Sequence, residues 1–169
     1  MQRVAALSVL ASVAGIAAGT LATVAQLILW WLADMAPVDT LLRDARLTAA
    51  LLMGRAVLSP GVAATWLILL VATLIHFTLS VLYAIVPAYG CECLGLRGVR
   101  GPRWDLLAGA AYGLLIYAVN LYGFTLLFPW FAQVRDGVTL AAHVVFGLIL
   151  VATCRLWRRA GPRDVNLSH

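Results

Sequence analysis

Residues 62–88 read VAATWLILLVATLIHFTLSVLYAIVPA, an unbroken run with no Asp, Glu, Lys or Arg. A helix needs about 20 residues to cross a hydrocarbon core of ~30 Å, so this stretch predicts a transmembrane helix. Working outward, three more runs of the same kind span residues 4–33, 106–131 and 138–157. Over the 169 residues, 63% are hydrophobic, 11% are charged, and mean hydropathy is +0.96. A water-soluble chain of this size leaves much of its surface wet and could not hide so much apolar area. The sequence therefore predicts an all-α integral membrane protein with four transmembrane helices, forming one domain over residues 1–169. A disordered chain, a collagen-like fibre and a disulfide-stapled scaffold are excluded by the same composition.

The first run follows Arg3 and is rich in Ala, as a signal peptide can be, but it continues to Trp31. That is about twice the usual apolar core of 7 to 15 residues, so a retained helix is expected. All twelve basic residues are Arg and lie between or beyond the apolar runs. The net charge of +5 is thus a topology signal, and nucleic acid is not expected as a partner. With four crossings, Arg3, Arg97, Arg100, Arg103, Arg155, Arg158, Arg159 and Arg163 share one side. Arg43, Arg46, Arg55 and Arg135 share the other, offset by Asp34, Asp39, Asp44 and Asp136. The imbalance puts both termini in the cytoplasm.

Residues 37–60 form the long connection, in which Leu41, Leu42, Ala45 and Leu47 alternate with Asp39, Arg43, Asp44 and Arg46. This pattern predicts an amphipathic helix on the periplasmic interface, resting on its own bundle or serving as a lid. The Gly-rich, basic segment 90–103 suits a mobile loop near anionic lipid, and residues 158–169 read as a disordered tail.

Two halves of the chain echo one another. Gly15-x-x-x-Gly19 and Gly109-x-x-x-Gly113 mark the first and third spans, and His76-x-x-x-Ser80 and His143-x-x-x-Gly147 the second and fourth. Such an echo fits a parallel repeat with the long connection as an insertion. The four glycines are helix-packing candidates, because backbones without Cβ bulk approach closely where lipid supplies no hydrophobic drive.

The polar residues inside the spans form the candidate site: His76, Asn120, His143, Gln26 and Thr125. Counted at ~1.5 Å per residue from Trp66 and Trp130, His76 and Asn120 fall near mid-membrane, whereas Gln26, Thr125 and His143 fall in the outer leaflet. Two polar layers are expected. The histidines admit three readings: a haem b between His76 and His143, which their difference in depth disfavours; a path or site for a proton or small polar solute; or interhelical hydrogen bonds that fix packing, the preferred reading. No cofactor is expected. Cys91-Glu92-Cys93 lacks the spacing and the further ligands of a zinc site, so no metal is expected either. No nucleophile, nucleotide or metalloprotease motif is present, and an enzyme is not expected.

The run His76-Phe-Thr-Leu-Ser80-Val-Leu-Tyr83-Ala, then Leu107-Ala-Gly109-Ala, then Phe128-Pro129-Trp130-Phe131 through His143 to Arg155 resembles small bacterial inner-membrane proteins of the YagU type. The likeness covers roughly residues 70–157. Where that family carries an acid just before the last His, this chain has Val138-Thr-Leu-Ala-Ala142. The resemblance implies a multi-pass inner-membrane protein with a link to acid tolerance. The residues themselves suggest a non-enzymatic structural or accessory protein, self-associated or part of a larger membrane complex. The alternative is a small transporter or channel-like protein passing a proton or polar solute along His76, Asn120 and His143.

Overall fold

The structure is a computed structural model that describes residues 2–93 and 102–160, and these form helices and turns without a strand. In chain order the helices are α1 (Gln2–Leu32), α2 (Pro37–Met53), α3 (Trp66–Cys93), α4 (Pro102–Ala118) and α5 (Gly137–Ala160). Four helical stretches are long and apolar enough to cross a membrane: Arg3–Leu32, Trp66–Gly90, Arg103–Leu126 and Gly137–Trp157. The side chains of Cys91, Glu92 and Cys93 lie outside the described residues, as do residues 94–101 and 161–169; of the expected tail, residues 158–160 continue α5.

Local chemistry sets the helix limits at the α2 end of the bundle. Pro37 opens α2 where a missing N–H costs nothing, and Asp39 places a negative charge in its first turn. Gly54, at φ 77°, closes α2 in a backbone conformation that L side chains rarely adopt. Asp136 Oδ1 accepts from the Thr139 N–H at 2.7 Å and caps α5.

The third apolar run is not one straight helix to Phe131. Regular α-geometry ends at Ala118, a π turn occupies Val119–Gly123, and 3-10 turns follow at Phe124–Leu126 and Pro129–Val134. Carbonyls released by such a break must find donors away from water. Leu121 O accepts from Arg135 Nε at 2.6 Å and from the Thr125 hydroxyl at 3.0 Å. Arg135 Nη2 donates to Thr125 Oγ1 at 2.6 Å, and its guanidinium lies 4.4 Å from the centre of the Tyr122 ring.

Helix α1 runs between α3 and α5, and α4 packs on the far side of α5. Two glycine crossings set these approaches. A Cβ on Gly15 would sit 2.7 Å from Val81 Cα, and one on Gly19 would sit 3.0 Å from His76 Nε2 and 2.7 Å from Ser80 Oγ. In the other pair, a Cβ on Gly109 would sit 2.9 Å from Leu148 Cα, and one on Gly113 2.7 Å from Val144 Cα and against His143 O. The first glycine of each motif therefore faces the residue five beyond the histidine, and the second faces the histidine's own turn. The sequence echo is matched by an echo in the contacts.

Below these crossings the bundle is solid, with Leu10, Ala11, Ala14 and Ala18 packed against Ala84, Ala88, Leu150 and Cys154. Long apolar side chains such as Val9, Ile16, Leu74, Leu82 and Leu115 point outward, the inverse of a soluble fold. An Asp105–Arg155 ion pair joins α4 to α5.

At the opposite end α2 folds across the bundle. Ala49 and Ala50 pack on Ile68 and Ala72 of α3, and Leu47 packs on Leu121 and Val134 beyond α4. The Trp130 indole N–H donates to Leu47 O at 3.1 Å, while Arg46 donates to Val57 O and Ser59 O at 2.9 Å each.

Candidate functional site

Beneath α2 the helices enclose a chamber of about 510 Å³, lined by the upper halves of α1, α3 and α5 and by the end of α4. A volume of this size is typical of small-molecule sites, which are mostly apolar with a few fixed polar groups. The chamber has that character: Phe77, Leu79, Phe124 and Phe146 supply apolar wall, and His76, Asn120, His143, Gln26 and Thr23 supply polar atoms.

A chain of hydrogen bonds crosses the floor. The Tyr83 hydroxyl donates to Asn120 Oδ1 at 2.5 Å, Asn120 Nδ2 lies 3.3 Å from His143 Nε2, and His143 Nδ1 lies 2.7 Å from Thr139 O. The chemistry fixes the protons. A carbonyl only accepts, so Nδ1 of His143 carries the hydrogen and Nε2 accepts from the Asn120 amide. A neutral imidazole satisfies the whole chain. Asn120 lies in the π turn, a local widening often found at functional positions.

His76 takes the opposite tautomer. The Thr23 hydroxyl donates to Gly19 O at 2.9 Å, so toward His76 Nε2, 3.5 Å away, its oxygen can only accept. Nε2–H is therefore the donor on His76, and Nδ1 remains an acceptor.

Below Tyr83 the floor is tied down by a proline. Pro87 sits inside α3 and has no N–H for the Tyr83 carbonyl one turn back. The Tyr112 hydroxyl of α4 fills that place, donating to Tyr83 O at 2.6 Å.

Of the five polar residues singled out by sequence, the chamber brings together His76, Asn120, His143 and Gln26. Thr125 is not among its lining residues; it serves the α4 break, with Arg135 and Leu121. Asn120 and His143 are also not in separate layers, since they are within hydrogen-bonding distance. The depth count treated α4 as regular up to Trp130, and the π and 3-10 turns change the rise. Sequence reading did not assign Tyr83, Tyr112, Trp30, Thr139 or Asp44 to the site. The signal for Tyr83 was its position four residues before Pro87.

Two buried groups on chamber-lining residues lack partners: the indole N–H of Trp30, which is 1% exposed, and the hydroxyl of Thr139, which is 5% exposed. Asp44 of α2 lines the roof and is paired with Arg43, whose Nε lies 2.9 Å from Asp44 Oδ1. Burial raises the Asp44 carboxyl above the ordinary carboxylate range, and the Arg43 hydrogen bond and charge only partly offset this. Among the described residues no group of three or more His, Cys, Asp or Glu side chains is placed to hold a metal. The four packing glycines all lie at crossings inside the chain.

No protein-family model matches the chain, and comparisons with curated proteins and with solved structures return no match.

Proposed function

We propose that this chain is a multi-pass protein of the bacterial inner membrane that binds a small, mostly apolar molecule within its bundle, without transforming it. Both termini face the cytoplasm in this reading, and α2 lies along the periplasmic headgroups. The observation that carries the proposal is the chamber itself, roofed by α2 and closed below by the Tyr83–Asn120–His143 chain. The closed floor favours a binding site over an open channel. A path across the bilayer would also have to cross the packed core around Leu10, Ala14, Ala84 and Leu150. His143 has both ring nitrogens engaged, which supports a site without a haem.

Gly15, Gly19, Gly109 and Gly113 are used against the chain's own helices, so they lend no support to an interface with a partner subunit. The likeness to YagU-type proteins agrees with the proposed membrane and says little about the ligand.

The test is to purify the protein from its own membranes in mild detergent and to extract bound small molecules for mass spectrometry. A molecule retained at up to one per chain, and lost in Asn120→Leu, is the expected result. A stoichiometric second protein with no retained small molecule would overturn the reading in favour of an accessory subunit. Solute flux in vesicles that survives Asn120→Leu would overturn the role given to the floor.

A further inference from the structure

The chamber's side walls are unequal. Helix α1 packs directly on both of its neighbours, α3 and α5, and α4 packs on α5, whereas α3 and α4 have no such packing. Above, α2 bridges these two, with Ala49 and Ala50 on α3 and Leu47 on Leu121 beyond α4. Below, long side chains make the link, Tyr83 reaching Asn120 and Tyr112 reaching the Tyr83 carbonyl. Between roof and floor the gap is open on the α3 side, where Leu69 and Thr73 line the chamber and are also exposed. It lies within helices apolar enough to cross a membrane, so it opens to lipid rather than to water.

The polar groups of the walls limit what enters. Asn120 and His143 are tied to each other, and the hydroxyls of Thr23, Thr48 and Ser80 donate to carbonyls of their own helices. Arg43 and Asp44 in the roof are paired, so a charged solute finds no uncompensated partner. Gln26 and Thr73 carry groups that both donate and accept, and these do not discriminate. His76 does discriminate. Its Nε2 faces Gly19 and Thr23 of α1 and carries the proton, which leaves Nδ1 able only to accept. Among the described residues Nδ1 has no partner, and it is not one of the sealed polar atoms, so it stays open to the chamber that His76 lines. His76 also lies one turn below Thr73 on the same face of α3, next to the gap.

Taking the binding function as given, we propose that the chamber is loaded sideways from the bilayer, between α3 and α4, by an uncharged lipid-soluble alcohol or phenol whose hydroxyl donates to His76 Nδ1. The ligand's apolar body lies against Phe77, Phe124 and Phe146, and no covalent bond is made or broken.

A matched pair of probes tests the class: 2-naphthol, and 2-methoxynaphthalene, in which a methyl group replaces the hydroxyl proton and only the donor is lost. With the full chain in lipid nanodiscs, 2-naphthol should bind about two- to tenfold more tightly, the worth of one hydrogen bond, and His76→Leu should remove that preference. Because a change at the α1 crossing can disturb packing, a second readout uses the unaltered chain labelled with 15N-histidine. The Nδ1 resonance of His76 should move upfield on adding 2-naphthol and stay in place with the ether. For the route, Thr73→Trp should slow association and dissociation together, whereas Leu74→Trp, on the lipid-facing side of the same helix, should change neither. If neither probe binds above empty nanodiscs, the binding reading falls. If both bind equally and Nδ1 does not move, binding stands and the hydroxyl class is wrong. If Thr73→Trp leaves both rates unchanged while Val24→Trp, at the exposed chamber wall of α1, slows them, entry is along α1 and not between α3 and α4.

Discussion

The Tyr112 hydroxyl and the Tyr83 carbonyl lie 2.6 Å apart, and this bond exists because Pro87 leaves that carbonyl without a helical partner. An interhelical tie between α3 and α4 thus depends on a defect within α3. Tyr112→Phe should destabilise the protein by about 1 to 3 kcal/mol, the cost of an unsatisfied buried acceptor. In a Pro87→Ala background the new N–H serves the carbonyl, and the same substitution should cost much less. Unfolding of the four proteins of this cycle in mixed micelles measures the coupling, and additive effects would disprove the dependence.

The glycine crossings predict a sharp contrast. Gly113→Ala forces a methyl against the His143 carbonyl and 2.7 Å from Val144 Cα, where only backbone could yield. A loss of about 2 kcal/mol or more is expected, in the range of overpacked cores. Gly123→Ala meets nothing within 4 Å and should be neutral or stabilising by up to about 1 kcal/mol. Thermal retention of the main peak on size exclusion distinguishes the two.

Arg135 holds the broken end of α4 through Leu121 O, Thr125 Oγ1 and the face of Tyr122. Arg135→Lys keeps the charge but not the planar fork. It should lower stability by about 1 to 2 kcal/mol and speed hydrogen exchange at residues 119–126 specifically. Uniform exchange across α4 would show that the clamp is not local.

Asp44 makes stability depend on pH. Its carboxyl is raised in the folded state by burial above the 3.8 of an ordinary side chain. The folded form therefore holds the proton more tightly than the unfolded form. Stability from this group is fully present below pH 3.8 and is lost as pH rises through the raised value. Asp44→Asn should flatten that part of the profile, measured by unfolding between pH 3 and neutrality. An unchanged slope would assign the dependence to other groups.

Much of the architecture was legible because the bilayer allows few solutions. Residues 62–88 had to be a helix, and the two Gly-x-x-x-Gly motifs had to meet small or backbone surface. The gathering of His76 and His143 around one space was harder to read, since the spacing gave depth but not azimuth. The placement of Asn120 was misjudged because nothing in Val119-Asn-Leu-Tyr-Gly123 announces a π turn, and the arithmetic of depth assumes a uniform rise. Thr125 was grouped with the polar layer on the same arithmetic, whereas its hydroxyl completes a backbone repair. Arg135 counted only as a loop charge, although its hydrogen bonds fall on the chain it follows. Tyr112 could have been found by asking which donor serves the carbonyl that Pro87 abandons.

The position of α1 between α3 and α5 bears on how the chain assembles. Synthesis delivers α1 first, yet its Ala11, Ala14 and Ala18 face finds Leu150 and Cys154 only when α5 has entered the bilayer. The α4–α5 hairpin, by contrast, joins consecutive segments through its own glycines and can close as soon as both are inserted. Helix α3 can cover the Gly15 and Gly19 side of α1 early, but the side that α5 covers is left facing lipid or the insertion machinery until the end of synthesis, and α5 is the piece that finally locks the first helix into place.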